Sequence, residues 1–233
     1  MLITCLNRVQ LLEVLPKAGT VAEIGVLRGG YSAKIQRIVE PERLHLIDPW
    51  GRTEEPNRHY PEPLMQAAYE KVQTRFSEEI EAQKIVLHRD FSTSVAPTFP
   101  DQFFDWVYVD GQHDYDSAHA DLMAFKQKVK PDGFILGHDF SNYRKAKRFG
   151  VVAAVRDFTK DEGFEIVVVT NETNPTYLLA RSTNDTTLPA LRSRLLEHEG
   201  GWPIEVDTGL LDRFEQVAVT YGDGRQGRIM KFG

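Results

Sequence analysis

The sequence predicts an α/β fold: a mostly parallel seven-stranded sheet that ends in an antiparallel strand pair, with helices on both faces. Three observations lead there. Short apolar runs alternate with helix-period segments over about 160 residues, the pattern of βαβ units. The last two apolar runs, Phe164 to Thr170 and Thr176 to Ala180, are separated by a polar turn too short for a parallel crossover, so they must pair antiparallel. The 233 residues are 41% hydrophobic and 27% charged, the composition of a folded chain of one domain plus an appendage.

The elements follow in order. Val9, Leu12 and Leu15 recur at helical spacing between Asn7 and Pro16, which reads as a short covering helix. Val21 to Val26 is a buried strand, Ser32 to Val39 a helix, and Arg43 to Asp48 a second strand. Four prolines between Pro49 and Pro63 mark a loop. Leu64 to Phe76 is helical, Lys84 to His88 a third strand, and Phe104 to Asp110 a fourth. Ala118 to Val129 reads as a helix, and Phe134 to His138 as a fifth strand after Pro131-Asp132-Gly133. Val151 to Phe158 is the last helix before the antiparallel pair. A polar linker, Ser182 to Thr187, divides residues 1–181 from a C-terminal helical appendage, residues 182–233. There Leu188, Leu191, Leu195 and Leu196 mark one helix; Leu210, Leu211, Phe214 and Val217 suggest a second; Gly222 to Arg228 is a loop. The appendage reads as a lid, a packing arm or a homo-oligomer contact, dispensable for ligand binding at the sheet.

Composition narrows the partners. With 28 basic and 34 acidic side chains the net charge is −6, so the chain lacks the basic footprint of a nucleic-acid binder. A single cysteine, Cys5, excludes an internal disulfide framework and cysteine-based zinc sites. No apolar stretch approaches the ~18 residues of a membrane span, and no signal peptide is evident, so a cytoplasmic protein is expected.

The chemistry gathers at the strand ends. Gly25, Gly29 and Gly30 lie between the first strand and the helix opening at Ser32, where glycines let the backbone turn sharply and approach a ligand. Ser32 is a candidate N-cap. The spacing is G-x-x-x-G-G rather than the G-x-G-x-x-G of a dinucleotide fingerprint. Asp48 ends the next strand, where a carboxylate can accept from a ribose diol or simply form the turn before Pro49. Asp90 and Phe91 end the third strand, an acceptor and a stacking face suited to adenine, or else an N-cap.

Together these segments resemble the class I S-adenosylmethionine-dependent methyltransferases, whose core is a Rossmann-like sheet. They look closest to the bacterial small-molecule O-methyltransferase branch. The motifs are Glu23 to Ser32, Ile47 to Trp50, Asp110 to Tyr115 and Gly133 to Asp139, and the likeness spans Val21 to Arg181. The resemblance implies S-adenosylmethionine as cofactor. Glu23 and Gly25 would lie beside its methionine part, Asp48 at the ribose, and Asp90 with Phe91 at the adenine. Trp50 and the loop it opens, with His59 and Tyr60, would overhang it as a lid. Asp110 would adjoin both cofactor and acceptor.

The reaction centre is expected where Asp110 and His113, after the fourth strand, meet His138 and Asp139 at the end of the fifth. Two chemistries use such a set. A divalent cation held by Asp110, Asp139 and His138 could lower the pKa of an acceptor hydroxyl. Alternatively, a histidine alone could take the proton. His113 stands three residues after Asp110, the offset at which the similar metal-dependent catechol-type O-methyltransferases carry a lysine base. Those enzymes have an acidic residue where this chain has His138, which weakens the case for Mg²⁺ and leaves Mn²⁺, Fe²⁺ or no metal open. The reading is methyl transfer to an oxygen of a small molecule. Its rivals are a nicotinamide dehydrogenase, a non-enzymatic cofactor-binding module and a hydroxylase-like relative. His45, His59, His88, His119 and His198 belong to no constellation and read as surface or packing residues. Arg144, Lys145, Lys147 and Arg148 form a basic run beside the expected substrate entrance.

Overall fold

The computed structural model describes residues 1–51, 61–141 and 149–232. The loop residues His59 and Tyr60 and the basic run Arg144, Lys145, Lys147 and Arg148 lie outside the described residues.

The chain begins with strand β1 (Leu2–Thr4) and helix α1 (Arg8–Val14). Asn7 caps α1: its side chain accepts from Val9 and Gln10 N–H, and Gln10 reaches back to the Asn7 N–H. There follow β2 (Thr20–Ile24), α2 (Ser32–Val39), β3 (Arg43–Ile47), α3 (Glu62–Arg75), α4 (Ser77–Glu81), β4 (Ile85–His88) and the single-turn α5 (Ser92–Val95). The second half runs β5 (Phe104–Val109), α6 (Tyr115–Phe125), β6 (Val129–Gly137), α7 (Val151–Glu162), β7 (Phe164–Thr170) and β8 (Tyr177–Arg181). It ends with α8 (Leu188–Glu197), β9 (Ile204–Glu205), β10 (Phe214–Thr220) and β11 (Gln226–Phe232).

The sheet order is β4-β3-β2-β5-β6-β8-β7-β1-β9. Strands β4, β3, β2, β5 and β6 are mutually parallel, and β8 runs antiparallel between β6 and β7, as the short turn before it requires. Two strands join the seven expected. β1 pairs parallel with β7, and β9 pairs antiparallel with β1. Both are too short to show a period.

Period-two alternation along β5 feeds two cores. Trp106 and Tyr108 point to the layer of α1, α2, α3 and α8, while Val107 and Val109 point to that of α5, α6 and α7. Leu191 and Leu195 of α8 are fully buried in the first core, and Leu211 and Phe214 are buried in the second. Each such side chain contributes about 1.5–3 kcal/mol by its burial. The residues after Arg181 therefore pack on the same cores as those before it.

Three local readings are corrected. The helix expected over Ala118–Val129 stops at Phe125, and Val129 opens β6 by pairing with Phe104. The second appendage helix is instead a 3-10 segment, Thr208–Arg213, running into β10. The three- and four-residue spacing of Leu210, Phe214 and Val217 mimics a helix, but β-branched Val217, Val219 and Thr220 favour a strand. The loop at Gly222–Arg228 is only a turn, because Gln226 already belongs to β11, antiparallel to β10.

Candidate active site

Strand order reverses between β2 and β5, because β2 leads outward to β3 and β4 whereas β5 leads to β6 on the other side. The crevice beyond the carboxyl ends at such a reversal is where open α/β sheets bind ligands. Gly25 follows β2 there with φ +86, and a Cβ on it would lie 2.0 Å from the Asp110 carbonyl oxygen. Only glycine allows the two strand ends to meet this closely. Gly29 closes the same turn at φ +67, packed against Phe76 after α3.

Acidic groups line this edge. Glu23 is buried and accepts a hydrogen bond from the Ser32 hydroxyl, and burial raises its carboxyl to about 8 despite that bond. Ser32 thus bonds Glu23 and makes no N-cap bond; it is the first residue of α2, after Tyr31 at the cap position. Asp48 accepts from three backbone amides, Val26 at 3.0 Å, Leu27 at 2.9 Å and Trp50 at 2.8 Å. It shapes the glycine turn, and of about four acceptor positions on a carboxylate one is left. Trp50 is fully buried, and its indole N–H donates to Leu27 O at 2.8 Å, so it braces that turn from below. Asp90 is exposed and accepts from the Phe91 N–H at 2.7 Å, while Phe91 is 37% exposed.

The second cluster joins the ends of β5 and β6. His113 Nε2 lies 3.0 Å from Asp139 Oδ2 and 3.8 Å from Asp110 Oδ1. His138 Nδ1 lies 3.5 Å from Asp110 Oδ1 and 3.3 Å from Asp139 Oδ2. The four residues expected to converge do converge. Asp110 and Asp139 raise His113 to about 10. His138 rises to about 9, because the same two carboxylates outweigh its burial. Burial opposes ionisation of Asp110 and Asp139, yet the two imidazoles hold both below the usual carboxylate range. The His113 ring also stacks on Phe149 at 5.2 Å.

A family model described as "Methyltransferase domain" matches residues 22–140, just over half of the chain. The chain belongs to this methyltransferase family. No curated protein sequence matches it. Its fold is similar to that of a Clostridium thermocellum protein described as an rRNA methylase (TM-score 0.54, 11% identity, 74% of this chain and 92% of that one). It is also similar to the Bacillus subtilis tRNA methyltransferase TrmK (0.52, 13%, 77% and 67%). An O-methyltransferase family protein from Burkholderia thailandensis is a third neighbour (0.51, 15%, 76% and 56%). At these identities the likeness shows the fold. No helix among the described residues of the methyltransferase is long and apolar enough to cross a membrane.

The residues fit a divalent cation. Asp110, His113 and Asp139 each offer a donor atom, all within 4.8 Å of one another. Asp139 Oδ1 is buried with no hydrogen-bond partner, so a cation would satisfy it. His138 is equally near the two acids but more buried, with 11% of its side chain exposed against 39% for His113. The acidic strand ends of the methyltransferase fit a cationic sulfonium nucleoside as well.

One site residue escaped the sequence reading. Arg8 of α1 reaches Asp110 Oδ2 at 3.2 Å and lies over the Tyr31 ring at 4.8 Å. The pair is 102 positions apart, and nothing in the periodicity of α1 singles Arg8 out.

His45 and His88 hold no place in the site. They bond each other, His45 Nδ1 to His88 Nε2 at 2.9 Å, among Phe99, Phe103 and Phe104. Burial, then His88 and Arg43, lowers His45 to about 4, and burial also lowers His88. Below the unfolded value near ~6.5 the unfolded chain takes up protons that the folded one refuses. Stability is thus full above that value and falls as pH drops toward 4. Melting temperatures from pH 7 to 4.5 should show this slope flattened in His45→Phe; identical slopes would exclude the pair as its source.

Proposed function

We propose that the protein transfers a methyl group from S-adenosylmethionine to an oxygen of a small molecule. The observation that carries this reading is the convergence of Asp110, His113, His138 and Asp139 beside the glycine turn, at the reversal of strand order. In this reading the cofactor runs along the sheet edge. Asp90 and Phe91 beyond β4 would hold the adenine, the remaining acceptor position of Asp48 beyond β3 would take one ribose hydroxyl, and Glu23, Gly25 and Asp110 would adjoin the methionine end.

The acceptor oxygen attacks the methyl carbon as the carbon–sulfur bond breaks, and the electron pair stays on sulfur. S-adenosylhomocysteine leaves, and His113 in its neutral form takes the hydroxyl proton. Most of the rate gain comes from holding the oxygen in line with the methyl group. Asp110, Asp139 and His138 are the residues that would hold a divalent cation such as Mg²⁺ or Mn²⁺. Bound there, it would supply Lewis acidity that lowers the pKa of the acceptor hydroxyl. The net charge of −6 favours a small acceptor over a nucleic acid.

Calorimetric titration with S-adenosylmethionine and with NAD tests the cofactor reading. S-adenosylmethionine should bind and NAD should not. Tighter binding of NAD would overturn it in favour of a dehydrogenase.

A further inference from the structure

Three of the four strand-end groups assigned to the cofactor, Asp48, Asp90 and Asp110, are carboxylates, while burial keeps Glu23 neutral. They suit its sulfonium and ammonium charges but repel its one anionic group, the carboxylate of the methionine end. That carboxylate needs a cation at the far end of the crevice from the adenine.

The order β4-β3-β2-β5 fixes which end that is. With adenine beyond β4 and ribose beyond β3, the methionine end must cross β2 toward β5. Arg8 stands there. Its guanidinium is wedged among Asp110, which follows β5, the Tyr108 hydroxyl of β5, and Tyr31, at the start of the helix behind the glycine turn. The main chain of Arg8 is fixed from two sides. Its N–H donates to Glu172 Oε1 at 3.0 Å, and the Tyr31 hydroxyl donates to its carbonyl at 3.1 Å. The guanidinium is held in place yet one-third exposed, and it meets Asp110 through Nη1. A partly exposed cation and anion side by side are the complement of an α-amino acid head, whose carboxylate and ammonium sit on one carbon.

We infer that Arg8 recognises the α-carboxylate of S-adenosylmethionine, so that the N-terminal helix sets cofactor specificity. This rests on the cofactor reading above. Arg8 then does two things with one side chain: it fixes the orientation of Asp110, and it makes the crevice selective for a nucleoside that carries an intact amino acid.

The test compares S-adenosylmethionine with its decarboxylated form, which keeps the sulfonium, the amine and the adenosine. Binding of each is measured by calorimetry to the wild type, Arg8→Met and Arg8→Lys. Hydrogen bonds to charged groups are worth about 1.5–3 kcal/mol, or about 10- to 100-fold. The wild type should prefer S-adenosylmethionine by that factor. Arg8→Met should erase the preference by weakening S-adenosylmethionine alone, and Arg8→Lys should keep part of it. Equal affinities in the wild type would overturn the inference without any variant. So would an Arg8→Met that weakens both ligands alike, because Arg8 would then act only through Asp110. If the folded wild type binds neither ligand, the cofactor reading falls and this inference falls with it.

Discussion

Replacing His113 with alanine is expected to slow methyl transfer by about 10²–10⁴-fold, the range of a lost general base. Affinity for S-adenosylmethionine should change little, because the nearest carboxylate to His113 is Asp139 at 3.0 Å, with Asp110 farther at 3.8 Å. The size of the effect follows from its position. Of the two histidines of the cluster it is the more exposed, with 39% of its side chain exposed against 11% for His138. Single-turnover rates with saturating cofactor separate this chemical step from binding. A His113→Ala enzyme with an unchanged rate would leave His113 as a loop residue that merely caps Asp139.

Chelation should have an effect of similar size. Without a cation, Asp110 and Asp139 hold His113 near 10 and His138 near 9, so both imidazoles are charged at neutral pH. A histidine already protonated cannot accept the acceptor's proton. Were Asp110, Asp139 and His138 to hold a divalent cation, its charge would take the place of the histidinium charges and the imidazoles would lose protons. The sign follows: below about pH 9, metal affinity rises with pH, because fewer protons must be displaced. EDTA should abolish activity, Mn²⁺ or Mg²⁺ should restore it, and titration of the metal in buffers of different ionisation heat should show proton release. Full activity in EDTA, with no heat of metal binding, would leave a metal-free site and a different base.

Much of this site was readable before any coordinates. Asp110, His113, His138 and Asp139 are each tied to the carboxyl end of a strong apolar strand, and neighbouring parallel strands deliver their ends to one edge. The glycine turn was readable for the same reason. What stayed hidden was set by tertiary contact. Asp48 accepts from two amides of the turn and from the Trp50 N–H, a use of its carboxylate that local sequence does not distinguish from ribose binding. Trp50 turns inward and donates to Leu27 O. Arg8 depends on the angle at which α1 docks on the sheet, which periodicity does not specify. β1 and β9 are three and two residues long and form only because a neighbouring edge is free to pair. The hairpin of β10 and β11 was masked by apolar residues that fall at helical spacing by coincidence.

The measurement that bears most directly on the central claim is methyl transfer itself. The full chain is incubated with methyl-labelled S-adenosylmethionine, Mn²⁺ or Mg²⁺, and a panel of small hydroxyl and diol acceptors, with RNA in parallel. Products are read by mass spectrometry. The predicted result is label on an oxygen of a small molecule, formed together with S-adenosylhomocysteine and lost in Asp139→Asn. Label appearing on RNA, or on nitrogen or carbon rather than oxygen, would contradict it.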